Sequence, residues 1–364
     1  MKIGILTFHC ADNYGAVIQA FCLQEYLREV GHDAHVIDYR PKYITYAYRI
    51  FGECSGNIIK HLLRSCIVAP SRFKKHFLFQ RFRNNHLRLV NLDFKRKIHD
   101  FDAFVFGSDQ IWSPAITRCD EIYFGQFNAA TGKKLISYSA SMGTIYDMGE
   151  RLSFMYGNCL KDFSAISVRE NTLASYLREH YRYDVTITCD PVILAGKQVL
   201  DKLVVKPRER SSYVLLILMA GDEKFIDYAQ IVADRLLCKL VILATYESVM
   251  QPQHKKIVSP ESYLGYIKYA SYIITTSFHG TALSILFHKE FATLKRSPKL
   301  DERAFSLLKG LGLEDRMIEV GQFCDNIKID YSQVDIKLGK IVLKSKKFLA
   351  NNLGDIPLKQ TQII

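Results

Sequence analysis

Three residues stand where an α/β protein does chemistry most readily: Asp109, Arg169 and His279, each close behind a short apolar run. The clearest case is SYIITTSFHGTALS, residues 271–284. Tyr272-Ile273-Ile274 reads as a strand and the run from Thr281 to Phe287 as a helix, with Ser277-Phe278-His279-Gly280 on the turn between them. Such a turn offers free backbone N–H groups and the positive end of a helix dipole, which attract a phosphate or carboxylate. Ser277 and Thr281 would flank the anion, and Gly280 would let it approach the backbone. His279 adds a proton that can be given near neutral pH; the competing reading is a capping-region histidine with a structural hydrogen bond. Arg169 suits bidentate binding of a carboxylate or phosphate, or an ion pair with Glu170. Asp109, after Gly107-Ser108, reads as an N-cap or as a base facing a cleft.

The surrounding pattern is what would position them. Lys2–Thr7 reads as a strand, residues 16–27 as a helix ended by Gly31, and His35–Tyr39 as a second strand. Further strands are expected at Phe101–Phe106, Lys134–Ser141, Phe163–Val168 and Val185–Cys189, the last stopped by Asp190-Pro191. A second α/β series starts near Tyr213, with strands Tyr213–Leu218, Leu240–Leu243 and Glu290–Leu294 and helices at 223–237 and 260–269. A last helix is expected over 332–350, followed by a loose tail. The expected fold is therefore α/β with two Rossmann-like domains. The first would span 1–190 and the second 191–330, with 331–364 packing back on the first. Ligands on such sheets sit at the carboxyl ends of the strands, in the cleft between the halves.

Composition narrows the function. No GxGxxG or GxxxxGK[ST] run is present, which counts against nicotinamide and P-loop chemistry. Nine cysteines without a CxxC pair read as reduced thiols, so neither a metal site nor a disulfide framework is expected. No apolar stretch reaches the length of a membrane span. The opening MKIGILTF lacks a signal-peptide core, so a cytoplasmic location is expected. The net charge of +12 is concentrated: residues 40–99 hold fourteen Lys or Arg against Glu53 and Asp93, an excess equal to that of the whole chain. Tyr43, Tyr46, Tyr48, Phe51, Phe73, Phe77, Phe79 and Phe82 are interleaved with these charges. The block reads as solvated helices or as a surface for anions; a membrane surface suits it better than nucleic acid, for which no motif is present.

Taken together, the motifs resemble those of the polysaccharide pyruvyl transferases. They are Asn13-Tyr14-Gly15-Ala16-Val17-Ile18-Gln19-Ala20, Phe106-Gly107-Ser108-Asp109-Gln110-Ile111-Trp112, Ser167-Val168-Arg169-Glu170, Asp190-Pro191, Thr276-Ser277-Phe278-His279-Gly280 and Leu311-Gly312-Leu313-Glu314-Asp315-Arg316. They fall in the family's order over nearly the whole chain. The resemblance implies a glycosyltransferase-like architecture of the GT-B type with a C-terminal helix returning to the first domain. It implies transfer of the enolpyruvyl group of phosphoenolpyruvate to two sugar hydroxyls, giving a cyclic ketal and phosphate, with no further cofactor. The acceptor would be a lipid-diphosphate-linked repeat of a bacterial capsule or exopolysaccharide, at the inner face of the membrane. His279 and Asp109 would be catalytic; Arg169, Ser277, Gly280, Thr281 and Lys295 would bind phosphoenolpyruvate; Asn13, Tyr14, Ser108 and Arg303 would lie on the acceptor side. Some members carry an arginine where this chain has Ser277, so another cation is expected to replace it, among Lys295, Arg296 and Arg303. Two alternatives remain at this point: a sugar-nucleotide glycosyltransferase on the same fold, and a non-catalytic membrane-associated assembly factor.

Overall fold

Two fully parallel sheets are strung along the chain in the computed structural model, which describes residues 1–48, 58–95, 100–143, 150–219, 223–244, 255–324 and 328–354. The first sheet comprises β1 (Lys2–Leu6), β2 (Asp33–Ile37), β3 (Leu89–Val90), β4 (Ala103–Phe106), β5 (Lys134–Ala140), β6 (Ala165–Val168) and β7 (Val185–Ile187). The second comprises β8 (Tyr213–Leu218), β9 (Lys239–Ala244), β10 (Lys255–Lys256), β11 (Tyr272–Thr275), β12 (Phe291–Leu294) and β13 (Met317–Ile318). Their orders are β3-β2-β1-β4-β5-β6-β7 and β10-β9-β8-β11-β12-β13. Both are doubly wound, with the order reversing between β1 and β4 and again between β8 and β11. At such a reversal the loops leave on opposite sides and open a crevice at the carboxyl edge. Ser108 and Asp109 follow β4, and Ser277 and His279 follow β11, so each half contributes its crevice to the site.

The strands read as apolar runs because both faces of a parallel sheet are covered. Every residue of β4, β8, β11 and β12 is buried. Alternation divides β4: Ala103 and Val105 face the core that carries Ile5, Leu215 and Ile273, while Phe104 and Phe106 face a second core around Trp112 and Tyr156. The first of these cores therefore runs continuously from one half into the other. Its continuity comes from helices 14–29, 191–201 and 278–286, which lie between the sheets.

Local chemistry starts these helices where they begin. The Asn13 side chain accepts from Ala16 N at 3.3 Å, Asp190 from Val192 N at 2.9 Å, and Ser277 from Gly280 N at 3.4 Å. Pro191 occupies the first turn behind Asp190, where its missing N–H costs nothing. So Asp190-Pro191 does more than end a strand: it opens helix 191–201. No helix follows Asp109, which adopts φ 65° and accepts from Gln110 N at 2.9 Å. An N-cap role at Asp109 is thereby excluded.

The C-terminal helix Tyr331–Leu353 crosses from one half to the other, giving the GT-B arrangement. Its 23 residues span about 34 Å at ~1.5 Å per residue. Near its start Lys337 Nζ donates to Leu311 O at 2.9 Å. In its middle Ser345 Oγ accepts from Cys189 N at 2.9 Å. At its end Leu349 and Leu353 pack against Tyr26 and Leu27 of helix 14–29. Of the basic block, helix Ile58–His86 is described from Val68 onward as far as side chains go; residues 49–57 and 96–99 lie outside the described residues. Among the described residues no helix is long and apolar enough to cross a membrane.

Candidate active site

The centre of the cleft is Asp190, fully buried at the carboxyl end of the first sheet. One oxygen caps helix 191–201; the other, Oδ2, lies 2.8 Å from Arg169 Nη2, 3.4 Å from His279 Nε2 and 3.3 Å from Ser108 Oγ. Burial pushes the Asp190 carboxyl up, but the Arg169 guanidinium and His279 outweigh it and hold the group well below the usual carboxylate range. Ser108 Oγ also accepts from Arg169 Nη2. Four residues from four strand ends and both halves thus meet around one carboxylate.

The cluster is not self-sufficient. Arg169 Nε and Nη1 are buried without hydrogen-bond partners, and so is His279 Nε2, whose approach to Asp190 is not aligned for a hydrogen bond. Buried donors of this kind are nearly always satisfied in a folded protein, so they mark a place for something else. The Arg169 guanidinium lies 5.0 Å from the centroid of the Phe278 ring, and the half-buried Arg303 guanidinium lies 5.7 Å from it. Burial and the neighbouring Arg169 both disfavour the Arg303 charge, with Glu170, Asp109 and Asp190 acting in the opposite sense. No ion pair involving Arg303 occurs among the described residues. A cavity of about 190 Å³ opens beside these groups. Its polar wall is Arg169, Asn171, Asp190 and Arg303, with Lys344 of the C-terminal helix at its rim; Ile187, Ile193, Leu307 and Ile341 close the apolar side.

Other expected residues stand elsewhere. Glu170 turns away from Arg169 and accepts from Ser141 Oγ; burial raises its pKa. Asp109 makes no hydrogen bond to the cluster, and its carboxylate acts on Arg303 through space. The expected anion cradle after β11 is used differently. A Cβ on Gly280 would meet Thr275 Oγ1 at 2.1 Å, so the glycine serves packing of helix on strand. Thr281 is fully buried and bonds to Ser277 O at 3.1 Å and to Thr293 Oγ1 at 2.8 Å. Ser277 is occupied by the helix cap. Lys295 is exposed and lies 3.3 Å from Glu319. Tyr14 anchors one half to the other: its hydroxyl donates to Val258 O at 3.0 Å and its ring stacks on Tyr263 at 4.2 Å. Asn13 caps its own helix.

Asp190, Phe278 and Lys344 were not among the expected site residues. Asp190 carried a usable signal, since Asp-Pro after a strand end places a carboxylate beside Arg169 in the crevice. Phe278, adjacent to His279, carried none that separates it from a core aromatic. Lys344 is one of several lysines on a long helix.

Among curated proteins no match was found. Similar solved structures include the UDP-GlcNAc 2-epimerase of Methanocaldococcus jannaschii, at 13% identity over 94% of this chain and 93% of that one, TM-score 0.47. Others are S. aureus MnaA in its UDP co-structure, at 12% over 96% and 89%, TM-score 0.45, and the glycotransferase of kitacinnamycin, at 11% over 95% of each, TM-score 0.41. The family model for polysaccharide pyruvyl transferase matches residues 13–298, the span from the cap of the first helix to the start of the helix bearing Arg303, and the chain belongs to that family of transferases.

Proposed function

We propose that the protein transfers the enolpyruvyl group of phosphoenolpyruvate to two hydroxyls of a sugar, forming a cyclic pyruvate ketal and releasing phosphate. The observation that carries this reading is the set of buried, unpartnered donors, Arg169 Nε and Nη1 and His279 Nε2, around one carboxylate. A small dianion or trianion satisfies donors of that kind, and guanidiniums suit both carboxylate and phosphate. Two of them, Arg169 and Arg303, flank Phe278. The cavity, at about 190 Å³, is smaller than the ~300–1,000 Å³ that encloses drug-sized ligands, which favours a three-carbon phosphorylated acid over a sugar nucleotide.

In this reading His279 gives a proton to the methylene carbon of the donor, which becomes a methyl group. The adjacent carbon gains oxocarbenium character and is attacked by the first sugar hydroxyl. Phosphate leaves with one hydroxyl proton, and the second hydroxyl closes the ketal while its proton returns to the base form of His279. Asp190 stabilises the imidazolium before each donation and Arg169 holds the donor's negative charge. Asp109, at the mouth of the first sheet, orients or activates a sugar hydroxyl. We place the acceptor on a lipid diphosphate carrier of a bacterial surface polysaccharide, handled at the cytoplasmic face of the membrane.

The test is titration of phosphoenolpyruvate into the wild type, His279→Ala and Arg169→Ala, with phosphate release measured in the presence of sugar acceptors. His279→Ala is expected to bind the donor and lose turnover by ~10²–10⁴-fold, the usual contribution of a general acid. Arg169→Ala is expected to lose binding. Full turnover without His279 removes its role; stabilisation by a UDP-sugar and not by phosphoenolpyruvate replaces the proposed chemistry with glycosyl transfer.

A further inference from the structure

Helix Ile58–His86 has two opposite faces. Val68, Lys75, Phe79, Phe82 and Arg83 are buried. At ~100° per residue the opposite side presents Phe73 and Phe77, 61% and 60% exposed, flanked by the exposed Lys74 and Arg81. An exposed phenylalanine pair one helical turn apart is not explained by packing. Nor is the charge around it balanced locally, since no Asp or Glu occurs in the sequence between Glu53 and Asp93. A face of aromatic rings rimmed by Lys and Arg fits a surface that is apolar within and negative at its boundary.

We propose that this face docks on an anionic lipid bilayer, with the rings of Phe73 and Phe77 entering the headgroup region and Lys74 and Arg81 held by lipid phosphates. The inference goes beyond the transfer reaction and does not depend on it. Charge complementarity selects the occupant: a second copy of the chain would bring two basic helices of the same sign together, neither with an Asp or Glu of its own to pair the other's lysines and arginines. The face is also tied firmly to the cleft. His76 Nδ1 and Arg83 Nη2 each lie 2.8 Å from a carboxylate oxygen of Asp12, and Lys75 Nζ lies 5.7 Å from the ring centroid of Tyr14. Asp12 lies in the turn just before helix 14–29, and Tyr14 and Gly15 open that helix, Gly15 against the His279 ring. A bilayer held at Phe73 and Phe77 would therefore lie beside the turn that leads into the site, within reach of a substrate anchored in lipid.

Co-sedimentation with vesicles tests the proposal without catalysis. The wild type is expected to bind phosphatidylcholine vesicles containing phosphatidylglycerol, to ignore pure phosphatidylcholine, and to be released by salt, because the attraction is screened. Phe73→Ser/Phe77→Ser, both changes at exposed positions, is expected to weaken binding by roughly tenfold or more with an unchanged melting temperature and unchanged phosphoenolpyruvate binding. Lys74→Glu/Arg81→Glu should do the same. Absence of binding to the anionic vesicles overturns the proposal, as does binding that both double variants retain. So does a wild-type dimer in solution that Phe73→Ser/Phe77→Ser converts to a monomer, or vesicle binding abolished by a competing oligonucleotide that binds independently of the two phenylalanines.

Discussion

The imidazole of His279, in the second half of the molecule, lies directly against Gly15 of the first. A Cβ added at Gly15 would stand 2.1 Å from Nδ1 and 2.6 Å from Cγ of that ring. The glycine lies within helix 14–29 and needs no unusual backbone conformation; what it supplies is space. With Nδ1 pressed against backbone on one side and Nε2 turned toward Asp190 on the other, the ring is held at a fixed distance from the Arg169–Asp190 pair.

Gly15→Ala is accordingly expected to act on the site across the interface. Overpacking a tight contact costs typically ~1–3 kcal/mol, and here either the ring or the helix must shift. Turnover is expected to fall about 100-fold, as a misplacement of ~1 Å does, while donor binding through Arg169 persists. Steady-state rates and donor titration on the same preparation check this. Wild-type turnover in Gly15→Ala would show that the contact does not position the histidine.

Asp190→Asn addresses the buried pair. The amide can keep the cap on Val192 N but leaves the Arg169 charge without its counterion, a loss of about 3 kcal/mol or more for breaking a buried pair. The pH dependence has a defined sign. The Asp190 carboxyl is held below its ordinary value in the folded state, so its contribution is complete above the unfolded value of ~3.9 and declines as pH falls toward the folded one. Urea unfolding should show the full gap between wild type and Asp190→Asn at pH 7, narrowing below about pH 4. A gap that is constant down to pH 3, or one that widens, would contradict the ion pair.

Arg303 and Lys295 are two of the three candidate replacements for an arginine at position 277, and they can be told apart. Arg303 shares the Phe278 ring with Arg169 and lines the cavity, whereas Lys295 faces Glu319. Hydrogen bonds to charged groups are worth ~1.5–3 kcal/mol, so Arg303→Ala is expected to weaken phosphoenolpyruvate binding by about 10- to 100-fold. Lys295→Ala is expected to change it less than about twofold, as befits an exposed pair. Calorimetric titration of both variants decides between them; the reverse order of effects would move the donor toward β12.

Much of this protein was legible along the chain. Apolar runs broken by Gly, Pro and capping residues marked β1, β8 and helix 260–269 at or within a residue of their observed ends, because fully buried parallel strands and capped helices are local in their chemistry. The placing of Asp109, Arg169 and His279 at strand ends followed from the same pattern, since a parallel sheet brings all its carboxyl ends to one edge. Strands of two residues, such as β3, β10 and β13, are too short to carry a period, and the sheet neighbour defines them. What those strand-end residues do was decided by tertiary contacts. Asp190 meets Arg169 across the neighbouring ends of β6 and β7, but it meets His279 only because helices 191–201 and 278–286 pack together between the sheets. Gly15 and His279 are separated by most of the chain, and Lys344 reaches the rim only through the returning helix. Gly280 and Thr281, which read as an anion cradle, were claimed by Thr275, Ser277 and Thr293 instead. Spacing along a chain reports which residues share an edge or a face. Which of two neighbouring polar groups is left without a partner, and so is free to bind a substrate, depends on rotamers and packing that form only when the two halves close on one core.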